Sequence, residues 1–216
     1  MIYRHLSFRW VGCVIALFCL IALPVSADNT DPKSALRAQF EPIIFNVSKQ
    51  LLAHQAHYKK DPVAFQGFLD QYVSLHWDAG STARALVGSD NFKRLSAENK
   101  RSLISAVDKT LKRYACEAVV FYSGQQFILV DVSVSDSGNM GWVKLLMQTK
   151  IIPDLNLDVL VKRNKAGIWK AVDVRFKGLT YVSVKKHKYQ NILKKQGVHA
   201  LIARLNEKNN TFFGDL

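Results

Sequence analysis

Apolar residues recur at helical spacing through the first half of the chain and at every second position through most of the second. Leu36, Phe40, Ile43, Val47 and Leu51 form one stripe after Asp31-Pro32, an acidic cap followed by a proline at the first helical position. Pro42 lies inside this stripe and is expected to kink or restart the helix. Asp61-Pro62 repeats the start signal before Phe65, Phe68, Leu69 and Tyr72. A short helix is expected after Asp78, ending near Gly88. Ser96 can cap a longer one carrying Leu103, Val107, Leu111 and Tyr114 on one side.

Beyond Ser123-Gly124 the period becomes two. Ile128, Val130, Val132 and Val134 alternate with Leu129, Asp131 and Ser133, the pattern of a half-buried strand. Asp136-Ser137-Gly138-Asn139 is a turn, and a strand through Leu145 and Met147 follows until Pro153 breaks it. Leu155, Leu157, Val159 and Val161 alternate next. Asn164-Lys165-Ala166-Gly167 is a hairpin turn into a strand that carries Val172, Val174 and Phe176 on one face. Thr180 to Val184 has the composition of a further short strand. Tyr189, Ile192 and Leu193 return to helical spacing, Gly197 stops that helix, and Leu201, Ile202 and Leu205 line the last. This order predicts an α+β fold: a helical N-terminal half packed on a curved, largely antiparallel sheet, with C-terminal helices.

The first 27 of the 216 residues stand apart from this pattern. Arg4, His5 and Arg9 precede an apolar run from Val11 to Leu23. Val25-Ser26-Ala27 then supplies the small residues of a cleavage site. The run is short for a bilayer span, which takes about 20 residues. The reading is a signal peptide over 1–27, cleaved after Ala27, and a single domain over 28–216. Cleavage would remove Cys13 and Cys19 and leave Cys116 alone, so the exported chain could form no internal disulfide. Tyr114-Ala115-Cys116-Glu117-Ala118 reads as an ordinary helical core position for the thiol.

Charge is unevenly distributed. The formal net charge is +13, yet residues 162–208 hold 13 Lys and Arg against only Asp173 and Glu207. Lys185, Lys186 and Lys188 sit in this basic quarter as candidates for docking on anionic headgroups or an acidic partner. Nucleic acid, the common partner of a basic protein, does not fit an exported one.

Catalytic motifs are missing. The sequence has no Gly-x-Ser-x-Gly elbow, no phosphate-cradling glycine loop and no His-Glu-x-x-His. His54 and His57 could share a metal, but no further ligand lies near them in sequence. Asp131 and Asp173 are acids within strands, each opposite the main apolar face, and could in principle form an acid–base pair. We therefore expect no catalytic site, no metal and no cofactor. Periodicity alone does not say whether sheet and helices enclose a filled core or a hollow one.

Gly167-Ile168-Trp169-Lys170-Ala171-Val172-Asp173-Val174 is followed by Gly178-Leu179-Thr180-Tyr181-Val182. Then come Lys186, Tyr189, Ile192-Leu193, Gly197 and Leu201-Ile202 with Leu205. This block resembles the C-terminal signature of the MlaC, or toluene-tolerance, family. Asp78 with Leu86-Val87-Gly88, and Ser96 with Leu111 and Tyr114-Ala115, agree in order. The resemblance implies a periplasmic carrier with phospholipid as cargo. It also implies two partners, an outer-membrane lipoprotein complex and an inner-membrane ABC transporter complex that maintain envelope lipid asymmetry. On this reading an acyl-chain pocket is walled by Phe68, Tyr72, Val107, Leu111, Ile128, Val130, Val132, Leu145, Met147, Leu157, Val159, Val172, Val174 and Phe176. The alternative is a small-ligand-binding protein or enzyme of a related cone-shaped α+β fold.

Overall fold

The computed structural model describes residues 31–148 and 154–214. The expected signal peptide with its cleavage point, and the expected break at Pro153, lie outside them. The fold is α+β, as the order of patterns predicts: a helical layer against an open five-stranded antiparallel meander in the order β1-β2-β3-β4-β5.

The predicted helix caps are present. Helix α1 (Pro32–Ala53) begins where Asp31 accepts hydrogen bonds from the Lys33 and Ser34 amides. It runs unbroken through Pro42. The expected restart does not occur there, and a second short helix, α2 (Gln55–Lys60), begins instead after His54. Asp61 caps α3 (Pro62–Tyr72) through the Ala64 amide. Asp78 caps α4 (Ala79–Val87), which ends at Gly88 before the one-and-a-half-turn α5 (Ser89–Arg94). Ser96 caps the long α6 (Ala97–Val119) through the Asn99 amide.

Strands β1 (Gln126–Val134), β2 (Met140–Gln148), β3 (Leu155–Arg163) and β4 (Trp169–Phe176) follow, and β5 is only Leu179–Thr180. The expected strand at Thr180 to Val184 is therefore a correction: helix α7 (Tyr181–Gly214) begins there. Its first turn is capped by the Thr180 hydroxyl, which accepts from the Ser183 amide at 3.0 Å. The Asp173 carboxylate on β4 also contributes, accepting from the Val182 amide at 3.2 Å. A capped N-terminus outweighs the β-propensity of Val182 and Val184. The backbone leaves helical geometry at Gly197 (φ 81°, ψ 174°), dividing α7 in two as the sequence implies.

Three apolar clusters hold these elements. One joins α4, α5, α6 and α7 around Leu86, Val87, Leu103 and Leu201. A second gathers Leu51, Tyr58, Phe65, Phe68, Cys116 and Tyr122 from α1, α2, α3 and the end of α6. In the third, Leu36 and Phe40 of α1 pack on Val132, Val143, Leu145, Val161 and Trp169 of the sheet. Gly141 permits that approach: a Cβ there would stand 2.6 Å from the Ser133 carbonyl oxygen and 3.0 Å from Leu36.

Candidate functional site

Register sorts the strand side chains into rows, because directly paired residues of an antiparallel sheet point to the same side. On the side that faces the helices, the first row is Val134, Gly141, Val161 and Ala171. The second is Val132, Val143, Val159 and Val174. The third is Leu129, Leu145, Leu157, Phe176 and Leu179, and the fourth is Phe127, Met147 and Leu155. The whole face is aliphatic or aromatic.

Cover decreases along these rows. Val132, Val143 and Val161 are fully buried beneath α1. Val159, Val174, Leu129, Leu157, Met147 and Leu155 are only half-buried, and Phe176 and Leu179 are 40% and 64% exposed. The reason is the placement of the helices. Helix α1 packs along β1, and α4 and α7 lie against β4, whereas α3 and α6 scarcely approach the strands. They pack on the other helices instead, so the far corner of the apolar face lies open between the layers.

Two bulges shape this face. One falls between Leu129 and Asp131 and the other opposite Leu160 and Val161, making Val130 and Val172 the extra residues. Each bulge carbonyl that the ladder leaves over is taken by a helix. Arg37 Nη2 of α1 donates to the Val130 oxygen at 3.3 Å, and Thr82 Oγ1 of α4 donates to the Val172 oxygen at 2.7 Å. The Gln39 side chain of α1 adds two hydrogen bonds to the Trp169 backbone, its Nε2 donating to the carbonyl at 2.8 Å and its Oε1 accepting from the amide at 3.0 Å. The Asp78 amide donates to the Ala171 carbonyl at 2.7 Å.

Of the sequence-predicted wall, Val132, Leu145, Met147, Leu157, Val159, Val174 and Phe176 share the helix-facing side. Ile128 and Val130 need correction. The bulge shifts phase by one residue, so Ile128 pairs with Leu146 on the opposite face and is 39% exposed, and Val130 is 48% exposed at the sheet edge. Leu129 and Phe127 take the inward places that sequence alternation assigned to them. Val172 is buried as a bulge residue. Phe68 and Val107 are buried within the two helical clusters, while Tyr72 and Leu111 are half-buried at their margins.

The opposite face of the sheet is polar at its centre. Lys144 pairs with Asp131 at 2.9 Å, and Arg175 pairs with Asp158 at 2.6 Å while lying 4.1 Å over the Trp142 ring. Hydrogen bonding to Lys144 holds the Asp131 carboxyl below the usual carboxylate range. Asp131 and Asp173 are on strands three places apart, about 14 Å at ordinary strand spacing. They form no acid–base pair, since one is an ion-pair partner and the other a helix cap. Cys116 is buried among apolar side chains that push its thiol up to about 11. Among the described residues no three His, Cys, Asp or Glu side chains are grouped to hold a metal, and no helix is long and apolar enough to cross a membrane. Two hollows of about 410 and 420 Å³ are lined mostly by polar residues. One lies by Asp158, Arg175 and Lys177, the other by Arg101, Lys109 and Asn206. Of the four apolar rows, only Leu155 borders either hollow.

An open meander whose apolar side is closed at one corner by a helix and left half-covered at the other defines a class of α+β protein with an interlayer apolar face. The MlaC protein family model matches residues 43–207, and the chain belongs to that family. Among solved structures, the fold is similar to that of a phospholipid-binding protein from Ralstonia solanacearum, determined in complex with a phospholipid. The TM-score is 0.68 at 17% sequence identity, over 80% of this chain and 97% of that one.

Proposed function

We propose that this protein is an exported phospholipid carrier: the signal peptide is cleaved after Ala27, and the single domain over 28–216 works in the periplasm. It shuttles lipid between an outer-membrane lipoprotein complex and the inner-membrane ABC transporter complex of a system for envelope lipid asymmetry. It acts by binding, without enzymatic chemistry or cofactor, and phospholipid is its cargo. The observation that carries this reading is the four-row apolar face, half-covered where α3 and α6 stand off the sheet. Family membership and the phospholipid bound by the Ralstonia protein support it.

Two acyl tails carry about 30 carbons, and exposing them to water costs on the order of 24 kcal/mol at roughly 0.8 kcal/mol per methylene. A lipid therefore crosses water only inside a protein wall. Transfer from bilayer to pocket exchanges one apolar medium for another, so loading and unloading can both be reversible. Direction comes from the partners' affinities or from ATP spent by the transporter. The proposed wall is Leu129, Leu145, Met147, Leu157, Val159, Val174 and Phe176, with Tyr72 and Leu111 on the helical side. The two polar hollows do not suit hydrocarbon, so tails enter by parting the helical layer from the sheet at its open corner. Lys185, Lys186 and Lys188 stand with the headgroup or partner.

Native mass spectrometry of protein purified from cells without detergent tests the reading. A co-purifying phospholipid, taken up also from vesicles by stripped protein, is the expected result. Protein that never carries lipid, either from cells or after exposure to vesicles, would overturn it.

A further inference from the structure

The β4–β5 hairpin and the first turns of α7 make an amphipathic edge at the open corner. Phe176 and Leu179 are directly paired across a two-residue turn, Lys177-Gly178, in which both residues have positive φ (49° and 81°). That is the geometry of a tight hairpin turn whose twist suits the strands, so the two side chains project together from a stiff tip. Leu179 is 64% exposed, Phe176 40%, and Val184, one turn into α7, 54%. Three exposed apolar side chains at one corner are costly in water unless something covers them.

The surrounding charge is of one sign. Residues 176–196 contain Lys177, Lys185, Lys186, Lys188, Lys194 and Lys195 and no Asp or Glu. None of these lysines is in an ion pair among the described residues; Lys177 lies 5.6 Å over the Phe176 ring and Lys185 5.3 Å over the Tyr114 ring. Asp154 and Asp158 line the polar hollow beside Lys177 and Gly178, where Asp158 is held by Arg175, and Asp173 is engaged by the Val182 amide. Apolar tips ringed by unpaired lysines match the interface of an anionic bilayer. The tips enter the headgroup–acyl boundary while the ammonium groups stay at the phosphates.

We infer that this edge docks the protein directly on anionic phospholipid bilayers, Leu179 and Val184 inserting and Lys177, Lys186 and Lys188 contacting the lipid phosphates. The purpose rests on the carrier reading, because docking there turns the open corner of the apolar face toward the membrane; the geometry does not.

Vesicle flotation tests it, using phosphatidylcholine vesicles with and without phosphatidylglycerol. The wild-type chain should float with the anionic vesicles and not with the neutral ones, and added salt should release it. Each lysine near the surface is worth about fivefold in affinity, so Lys186→Glu with Lys188→Glu should weaken binding at least ~25-fold. Leu179→Ser with Val184→Ser should weaken it about tenfold or more. Equal binding to both vesicles, no binding to either, or full binding by the Leu179 and Val184 variant would overturn the inference. Lipid-loaded protein that ignores anionic vesicles overturns docking and leaves carriage standing, the lysines then facing an acidic protein. Docking by protein that never carries lipid does the reverse.

Discussion

Asn209 is fully buried where the second part of α7 crosses α6, and its amide joins three groups. Its Nδ2 donates to the Ala106 carbonyl and to Thr110 Oγ1, both at 3.1 Å. Its Oδ1 accepts from Arg113 Nε at 3.2 Å. Asn209→Ala removes the acceptor of a buried guanidinium N–H. Thr110 keeps its own bond to Ala106 at 2.8 Å, and Arg113 keeps its ion pair with Glu117. The cost therefore concentrates on one charged donor, about 1.5–3 kcal/mol, plus the small space the side chain vacates. A total near 3 kcal/mol lowers Tm by roughly 6–12 °C in a domain of this size. Urea unfolding followed by circular dichroism measures the loss, and a cycle with Arg113→Met isolates the pair, with about 1–2 kcal/mol of coupling expected. A loss below about 0.5 kcal/mol, or additive single variants, would refute the network as the clamp between α6 and α7.

Val174→Trp and Val159→Trp should cut phospholipid occupancy severalfold while far-ultraviolet circular dichroism stays native, whereas Val130→Trp, on the sheet edge, should leave occupancy unchanged; equal effects of all three would dissolve the assigned face. Gly141→Ala drives a methyl into the Ser133 carbonyl and Leu36, and should destabilise by about 1–3 kcal/mol in urea, the ordinary cost of overpacking. Cys116, its thiol raised by burial and by nearby Glu117, should resist iodoacetamide at neutral pH until the protein unfolds; rapid native labelling would show that α6 is exposed there. Lys112 is penalised by burial, but its bonds to Asp108 at 2.8 Å and Asp70 at 2.6 Å outweigh that and raise its pKa. Its contribution is thus complete below pH 10.5 and is lost as pH rises above that. Lys112→Met should remove this alkaline component of the stability profile, which paired pH titrations of unfolding would reveal.

Local chemistry explains what could be read in advance. Asp31, Asp61, Asp78 and Ser96 each cap the helix they precede, because a side-chain oxygen satisfies orphan amides within three residues of itself. Asn164 to Gly167 and Gly197 announce a turn and a break for equally local reasons. The bulges do not show. Ile128, Val130 and Val132 alternate without a glycine or proline to mark the slip, and what stabilises it is Arg37, from a helix 93 positions away. Tyr181 starts a helix and not a strand partly because Asp173 reaches the Val182 amide from another element. The half-covered face was equally unreadable. It depends on how far α3 and α6 stand from the strands, and periodicity gives the direction of a side chain but not the distance to what it faces.

Most of the polar ties between the layers are gathered at one end, the long bond from Ser48 Oγ to the Phe127 carbonyl at 3.4 Å being an exception. Arg37, Gln39, Asp78 and Thr82 fasten the helices to Val130, Trp169, Ala171 and Val172. Leu155, Leu157 and Phe176, at the other end, face the helices with hydrocarbon alone. A plate bolted along one margin can tilt about that margin but cannot slide. Guest chains of different length would then be met by a wider or narrower gape, with no strand changing its neighbour.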